Sequence, residues 1–247
     1  MLPPAGAFAA AAAAVGAADA AEPVVLYDGA GVAFASARAW FMFKALGHPR
    51  VAVLDGGLPG WKAAGGPVEA TPVAPEAANV AAAAAEAAQR EGAGGGAEVP
   101  EYFAPGGYAA STVTLADVQR NLASREFTVV DARSAGRFAG EAPEPRPIPS
   151  GHIRGSFNVP FTDLLQDGFF KSPVELAAAF ERAGVDARAD NLVVSCGTGV
   201  TACVLALALA VCGNDAVRLY DGSWSEWAVQ NGTEILKGDE GVGRAAQ

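Results

Sequence analysis

Histidine and cysteine are scarce in this chain of 247 residues: two histidines, His48 and His152, and three cysteines, Cys196, Cys203 and Cys212. No CxxC pair and no paired-histidine spacing joins them, which argues against a structural zinc site. Three cysteines in a chain this long make no disulfide framework, so a reducing compartment is the simpler reading. Basic residues are also few. Seventeen Lys and Arg face 27 Asp and Glu, a net charge of −10. Phosphate neutralisation needs clustered cations, so the balance argues against nucleic acid as a partner. No Lys or Arg precedes Arg38. Secretory signals want a basic n-region and mitochondrial transit peptides want arginines, and "MLPPAGAFAAAAAAVGAADA" has neither. Its apolar run, like the one at 204–211, is too short for a membrane span. We read residues 1–22 as an alanine-rich, weakly ordered leader and 204–211 as part of a buried helix, and expect no membrane association. The compartment stays open between cytoplasm and mitochondrion.

What the chain does have is apolar periodicity. At 51% hydrophobic and 18% charged residues it can bury a sizeable core. The pattern predicts a strand over 24–27, a turn "DGAGVAF", a helix over 35–46, a strand over 51–54, then "DGG" and Trp61 on a short helix. The same order recurs near the C-terminus: strand 192–195, turn "CGTGV", helix 202–211, strand 217–220, then "DGSWSEW". Asp28 lies on Cys196, Gly31 on Gly199, Gly47 on Gly213, Asp55 on Asp221 and Trp61 on Trp227. Duplicated strand–turn–helix–strand units imply parallel sheets with right-handed crossovers. Ahead of the second copy the pattern adds a helix over 115–123, a strand over 127–131 and a helix over 173–183. Residues 71–111, rich in Ala, Gly and Pro, have linker composition, with one short helix expected at 76–90. The expected organisation is a leader at 1–22, a partial non-catalytic copy at 23–70, a linker at 71–111 and a complete catalytic domain at 112–238.

In an open parallel sheet, ligands bind where strands end and helices begin. Cys196 stands at that point. Backbone N–H groups of Gly197, Thr198, Gly199, Val200 and Thr201 can curl into an anion-holding nest at a helix N-terminus. Such a field favours a thiolate, and a persulfide on the same sulfur would be held by the same donors. An isolated cysteine is more often a buried small side chain; here the strand, glycines and helix around Cys196 turn that reading. For Cys203 and Cys212, on the helix itself, packing is the better reading. A dinucleotide fingerprint fails because "GTGVTA" lacks the third glycine. A phosphatase loop would need an arginine six residues past the cysteine, and residue 202 is Ala.

"CGTGVTAC" followed by "YDGSWSEW", together with "VVDARSAGRFAGEAPEPRPIPSGHIRGSFNVPF" at 129–161, resembles the rhodanese superfamily and its tandem-domain sulfurtransferases. The resemblance implies an α/β fold: an open parallel sheet flanked by helices, one complete domain preceded by a partial copy. An uncharged cysteine loop with a GRF…EPR pair is similar to that of the 3-mercaptopyruvate sulfurtransferases, whereas thiosulfate sulfurtransferases carry basic residues there. The resemblance thus implies that Cys196 is the nucleophile and Thr198 the loop hydroxyl that handles protons. Arg137 and Arg146 would hold the carboxylate and keto oxygen of a small anionic sulfur donor, as suits planar guanidinium groups. The segment from Asp131 to Gly155 has four arginines against three acids, a local +1 in an acidic protein; Arg133 and Arg154 read as structural or solvated. The sulfur would pass to cyanide or to a thiol, such as a thioredoxin-like protein or a small thiol, with no metal or organic cofactor. Two alternatives stay open: thiosulfate:cyanide transfer, and an impaired module that carries sulfur or binds partners. The second has a basis, because the family's front half of the first domain, with a relay His and Asp, has no counterpart here. His152 echoes that His only by position and reads as a loop cap. A half-domain is also expected to expose Trp40, Phe41 and Phe43, and Asp28 marks the first copy as non-catalytic.

Overall fold

Apolar side chains on both faces of short strands call for helices on both sides of a sheet. The computed structural model, which describes residues 2–70, 82, 85 and 107–243, has that arrangement. The first region comprises α1 (Ala5–Ala14), β1 (Val24–Leu26), α2 (Ala35–Ala45), β2 (Val51–Val53) and α3 (Gly57–Ala63). The second begins with α4 (Gly107–Ser111), β3 (Thr112–Val113), α5 (Leu115–Ser124), β4 (Thr128–Asp131), α6 (Ala135–Phe138) and β5 (Phe157–Asn158). A 3-10 turn (Phe161–Leu164) and a hairpin of β6 (Leu165–Gln166) and β7 (Phe169–Phe170) follow. Then come α7 (Pro173–Arg182), β8 (Leu192–Ser195), α8 (Ala202–Val211), β9 (Arg218–Tyr220) and α9 (Ser223–Trp227).

The second region holds a five-stranded sheet in the order β3-β9-β8-β4-β5, and every pair in it is parallel. Its period of two sorts the core. Val130, Leu192, Val194 and Leu219 join the cluster beneath α2, α7 and α8. Val129, Val193 and Tyr220 turn to the opposite face with Val118, Trp224 and Trp227. The helices start where their sequences say they should. Thr114 with Asp117 caps α5, and Ser172 with Glu175 caps α7 with Pro173 next in line, each a reciprocal capping box. Helix α8 is buried along residues 202–209, which is why an apolar run too short to span a membrane still reads as hydrophobic on all sides. Among the described residues no helix is long and apolar enough to cross a membrane.

The first region repeats the unit on a smaller scale: β1 and β2 form a parallel pair with Val24 opposite Val51 and Leu26 opposite Val53. Two expectations change here. Within the segment expected as a weakly ordered leader, the structure places a packed helix. Residues 5–14 form α1, whose Ala9 and Ala12 pack with Phe43 and Leu46, and Phe8 meets Phe43 edge to face at 4.8 Å. Alanine is the best helix former, and its small side chain lets α1 lie close on α2. A run of one residue type has no polar–apolar alternation from which that face could be read.

Nor does the first region expose its aromatic face. Trp40 and Phe41 are buried against α8 in the main core, while Phe43 is covered by α1. The 3-10 turn and the hairpin add a second clasp: Phe34 meets Phe161 at 5.0 Å, and Phe170 N donates to Asp55 Oδ1 at 2.9 Å. The helix expected at 76–90 lies outside the described residues except at 82 and 85, which are helical.

Candidate active site

Cys196 follows β8 directly, at the carboxyl end of the central strand, and is 2% exposed. Its loop is built against the start of α9. Cys196 N donates to Ser223 Oγ at 3.2 Å, Cys196 O accepts from Trp224 N at 3.0 Å, and Gly197 O accepts from Ser225 N at 3.0 Å and from its hydroxyl at 2.6 Å. Ser223 is buried in left-handed backbone, φ 53°, with its hydroxyl donating to Tyr220 O at 2.8 Å. Such a conformation costs on the order of 1 kcal/mol and persists where the surroundings hold it. The "DGSW" turn therefore acts as the second wall of the cysteine loop.

Within the loop, Gly199 has φ 79° and its N–H donates to Cys196 Sγ at 3.1 Å. A side chain at 199 would meet Asp221 O and Oδ1 at 2.9 Å, so glycine is required both by conformation and by space. Gly197 is pressed from outside, where a Cβ would lie 3.0 Å from Arg137 Nη2. Of the residues singled out in the sequence, Cys196, Gly197, Thr198, Gly199, Val200 and Thr201 form one loop into α8, and Arg137 leans on it. Thr198 is half-buried, and its hydroxyl has no hydrogen-bond partner among the described residues. Arg146 is exposed on the 139–151 loop and makes no side-chain hydrogen bond or ion pair among the described residues.

Arg137 is held by Glu144, which accepts from its Nε at 3.1 Å and from its Nη2. The same carboxylate accepts from Arg133 Nη1 at 2.8 Å. Arg133 is buried as a structural residue: it donates to Asp131 and to Gly151 O, and its guanidinium lies 4.3 Å over the Trp224 ring. Arg154 pairs with Glu234 at the surface. His152 is fully buried, with Nδ1 3.0 Å from Phe138 O, Nε2 2.8 Å from Glu240 O, and its ring stacked on Phe138. It ties the end of α6 to the 236–241 loop, a structural role in keeping with its reading as a loop cap.

Three groups at the site have no role in the sequence reading: Glu144, Asp221 and Arg38. Arg38, on α2 of the first region, reaches Gly199 O at 3.1 Å and Asp221 Oδ1 at 2.7 Å. Only Asp221 carried a signal, as the partner of Asp55 in the repeat. Below the loop, burial pushes the Cys203 thiol up to about 12 against the pull of Arg38. Its Sγ donates to Gly199 O at 3.3 Å. In the first copy, Asp28 stands where Cys196 does and accepts from Ala35 N at 3.1 Å, Ser36 N at 3.0 Å and the Ser36 hydroxyl. That carboxylate fills its own helix N-terminus, so the place where Cys196 Sγ accepts from Gly199 N in one copy is a helix cap in the other.

An open parallel α/β sheet with a loop-borne cysteine at the carboxyl end of its central strand places a thiol where sheets of this class bind their ligands. The family model described as "Rhodanese-like domain" matches residues 2–64 and 114–230, and the chain belongs to the rhodanese family. Thiosulfate sulfurtransferase of Rattus norvegicus is 41% identical over 208 residues, covering 83% of this chain and 62% of the relative. Thiosulfate/3-mercaptopyruvate sulfurtransferase 1, mitochondrial, of Arabidopsis thaliana is 42% identical over 232 residues, covering 93% of this chain and 60% of the relative. Among solved structures, SseA of Escherichia coli, described as having the rhodanese fold of 3-mercaptopyruvate sulfotransferases, aligns with TM-score 0.61 at 34% identity. That alignment covers 83% of this chain and 68% of SseA. The chain spans about three-fifths of the length of the two sulfurtransferases it matches.

Proposed function

We propose that the chain is a sulfurtransferase that takes sulfur from 3-mercaptopyruvate, carries it as a Cys196 persulfide, and passes it to a thiol or to cyanide. The observation that carries this reading is the Gly199 N–H aimed at Cys196 Sγ from 3.1 Å. The loop around it, Gly-Thr-Gly at 197–199, has no charged side chain. In this mechanism the Cys196 thiolate attacks the donor's sulfur and forms the S–S bond. The donor's C–S bond breaks, and its electron pair leaves on pyruvate as the enolate. The enolate takes up the proton of the donor thiol and departs as pyruvate, and the persulfide anion remains on Cys196 among the loop donors. An acceptor thiol then attacks the outer sulfur and Cys196 leaves as thiolate; cyanide in its place gives thiocyanate.

Arg137 and Arg146 are assigned to the donor's carboxylate and keto oxygen, Thr198 to the proton, and the backbone of Gly197, Gly199, Val200 and Thr201 to the anion. Residues 112–238 are the catalytic unit, and the first region is a non-catalytic copy forming one wall. The partners are a small anionic donor and a thiol acceptor, with the compartment either cytoplasm or mitochondrion. Thiosulfate as donor is the second reading, favoured by the name of the rat relative.

Intact-protein mass after brief incubation with 3-mercaptopyruvate, with released pyruvate assayed in parallel, tests the assignment. One added sulfur with pyruvate release, both absent in C196S, is the expected result. No added sulfur in a folded sample would turn the reading to a binding or sulfur-carrier module. R146A is expected to impair transfer from mercaptopyruvate more than from thiosulfate; equal loss on both donors refutes the donor assignment.

A further inference from the structure

The cysteine loop is held from below by a residue that belongs to the other copy of the fold. Arg38 projects from α2, its side chain only 11% exposed, and spends its guanidinium on two targets. Nη1 donates to Gly199 O at 3.1 Å, and Nη2 to Asp221 Oδ1 at 2.7 Å. Nη1 also lies 3.9 Å from Cys203 Sγ, which itself donates to Gly199 O at 3.3 Å. Gly199 thus has its carbonyl pulled down toward α2 and α8, while its N–H points up at the reacting sulfur. These two directions are linked, because a residue with φ 79° and no side chain is set in place only through its peptide groups. Remove the guanidinium, and Gly199 O keeps only a weak thiol donor, while Asp221 loses a charged partner beside the loop.

We propose that Arg38 is a positioning residue for the reacting sulfur: the non-catalytic region contributes it to fix Gly199, so that the Gly199 N–H stays aimed at Cys196 Sγ. The first region is on this account more than a cleft wall, since the catalytic loop is incomplete without its arginine. The inference rests on Cys196 being the nucleophile and is independent of which donor loads it. The planar guanidinium fits the task because its two nitrogens reach two acceptors at once, which a lysine ammonium on its single stem does less well.

The test is alkylation of the full chain by iodoacetamide over a range of pH, with peptide mapping to follow Cys196 alone, in wild type, R38M and R38K. In R38M, labelling of Cys196 at neutral pH is expected to slow on the order of tenfold, the scale of losing one hydrogen bond to a charged group. Its pH profile is expected to move to the alkaline side, with R38K recovering part of the loss. Thermal melts accompany each variant. An R38M protein that melts cooperatively and labels at the wild-type rate and pH profile overturns the proposal, as does faster labelling. If R38M does not fold, R38K carries the same criterion. If neither folds, Arg38 serves the docking of the two regions and the proposal falls. Iodoacetamide requires no sulfur donor, so failure of the sulfurtransferase reading leaves this measurement intact.

Discussion

Replacing Glu144 by Gln keeps the shape of the side chain and removes the charge that two arginines share. The Glu144 side chain is 2% exposed, and its two oxygens are divided between Arg133 and Arg137. A Gln has one acceptor oxygen; its amide would turn donors toward whichever guanidinium it does not serve. Stripping one partner from a buried ion pair costs about 3–5 kcal/mol. The loss here should be smaller for two reasons. Arg133 keeps Asp131 and Gly151 O, and the Arg137 side chain is 24% exposed, so water replaces part of what it loses. That leaves about 2 kcal/mol, near the lower end for hydrogen bonds to charged groups. For a chain of this size 1 kcal/mol moves the melting temperature by about 2–4 °C, so E144Q should melt roughly 4–8 °C below wild type. A second readout separates stability from function. If Glu144 holds Arg137 against Gly197 for donor binding, E144Q raises KM for mercaptopyruvate several-fold. A variant that melts with the wild type and keeps its KM would show that the Arg133–Glu144–Arg137 chain neither stabilises nor positions anything.

Trp40→Ala empties a site between α2 and α8, where the residue is 9% exposed. It should cost about 3–5 kcal/mol in urea unfolding; an unchanged midpoint would mean that the first region is not docked on the second. Cys203 supplies a pH test. Burial raises its folded-state thiol to about 12 from an ordinary 9.0. The folded chain therefore holds this proton more tightly than the unfolded one, and the contribution is complete below pH 9 and lost as pH rises toward 12. C203A should flatten that part of the alkaline decline, and an unchanged slope would refute the assignment. For the same reason, native labelling near neutral pH should leave Cys203 untouched.

The local units of this protein are legible in the chain because their causes are local. The strand at 192–195, the glycine turn and the helix at 202–211 follow from apolar runs, a residue able to take φ 79° and the absence of helix breakers, and they fall where expected. The repeat brought Asp28 into register with Cys196 and marked one copy as unable to present a thiol. Arg133 was legible only as structural or solvated, and its burial between Asp131, Glu144 and Gly151 O came from the fold. Helix α1 was not legible, since a run of alanines has no face until something packs on it.

The sequence alone determined that this is a parallel α/β chain with one cysteine at the end of a strand and two arginine-bearing motifs upstream. Which charges act on that cysteine loop was decided only by tertiary structure. Arg38 lies 161 residues from Gly199 and 183 from Asp221, and no periodicity relates positions so far apart. They meet because α2 buries Trp40 and Phe41 against α8, and that docking turns the next face of α2 toward the loop. Glu144 is set between Arg133 and Arg137 in the same way, by a loop whose path depends on what Trp224 and His152 pack against. Local chemistry placed the sulfur, and the packing of distant faces chose the groups that hold it.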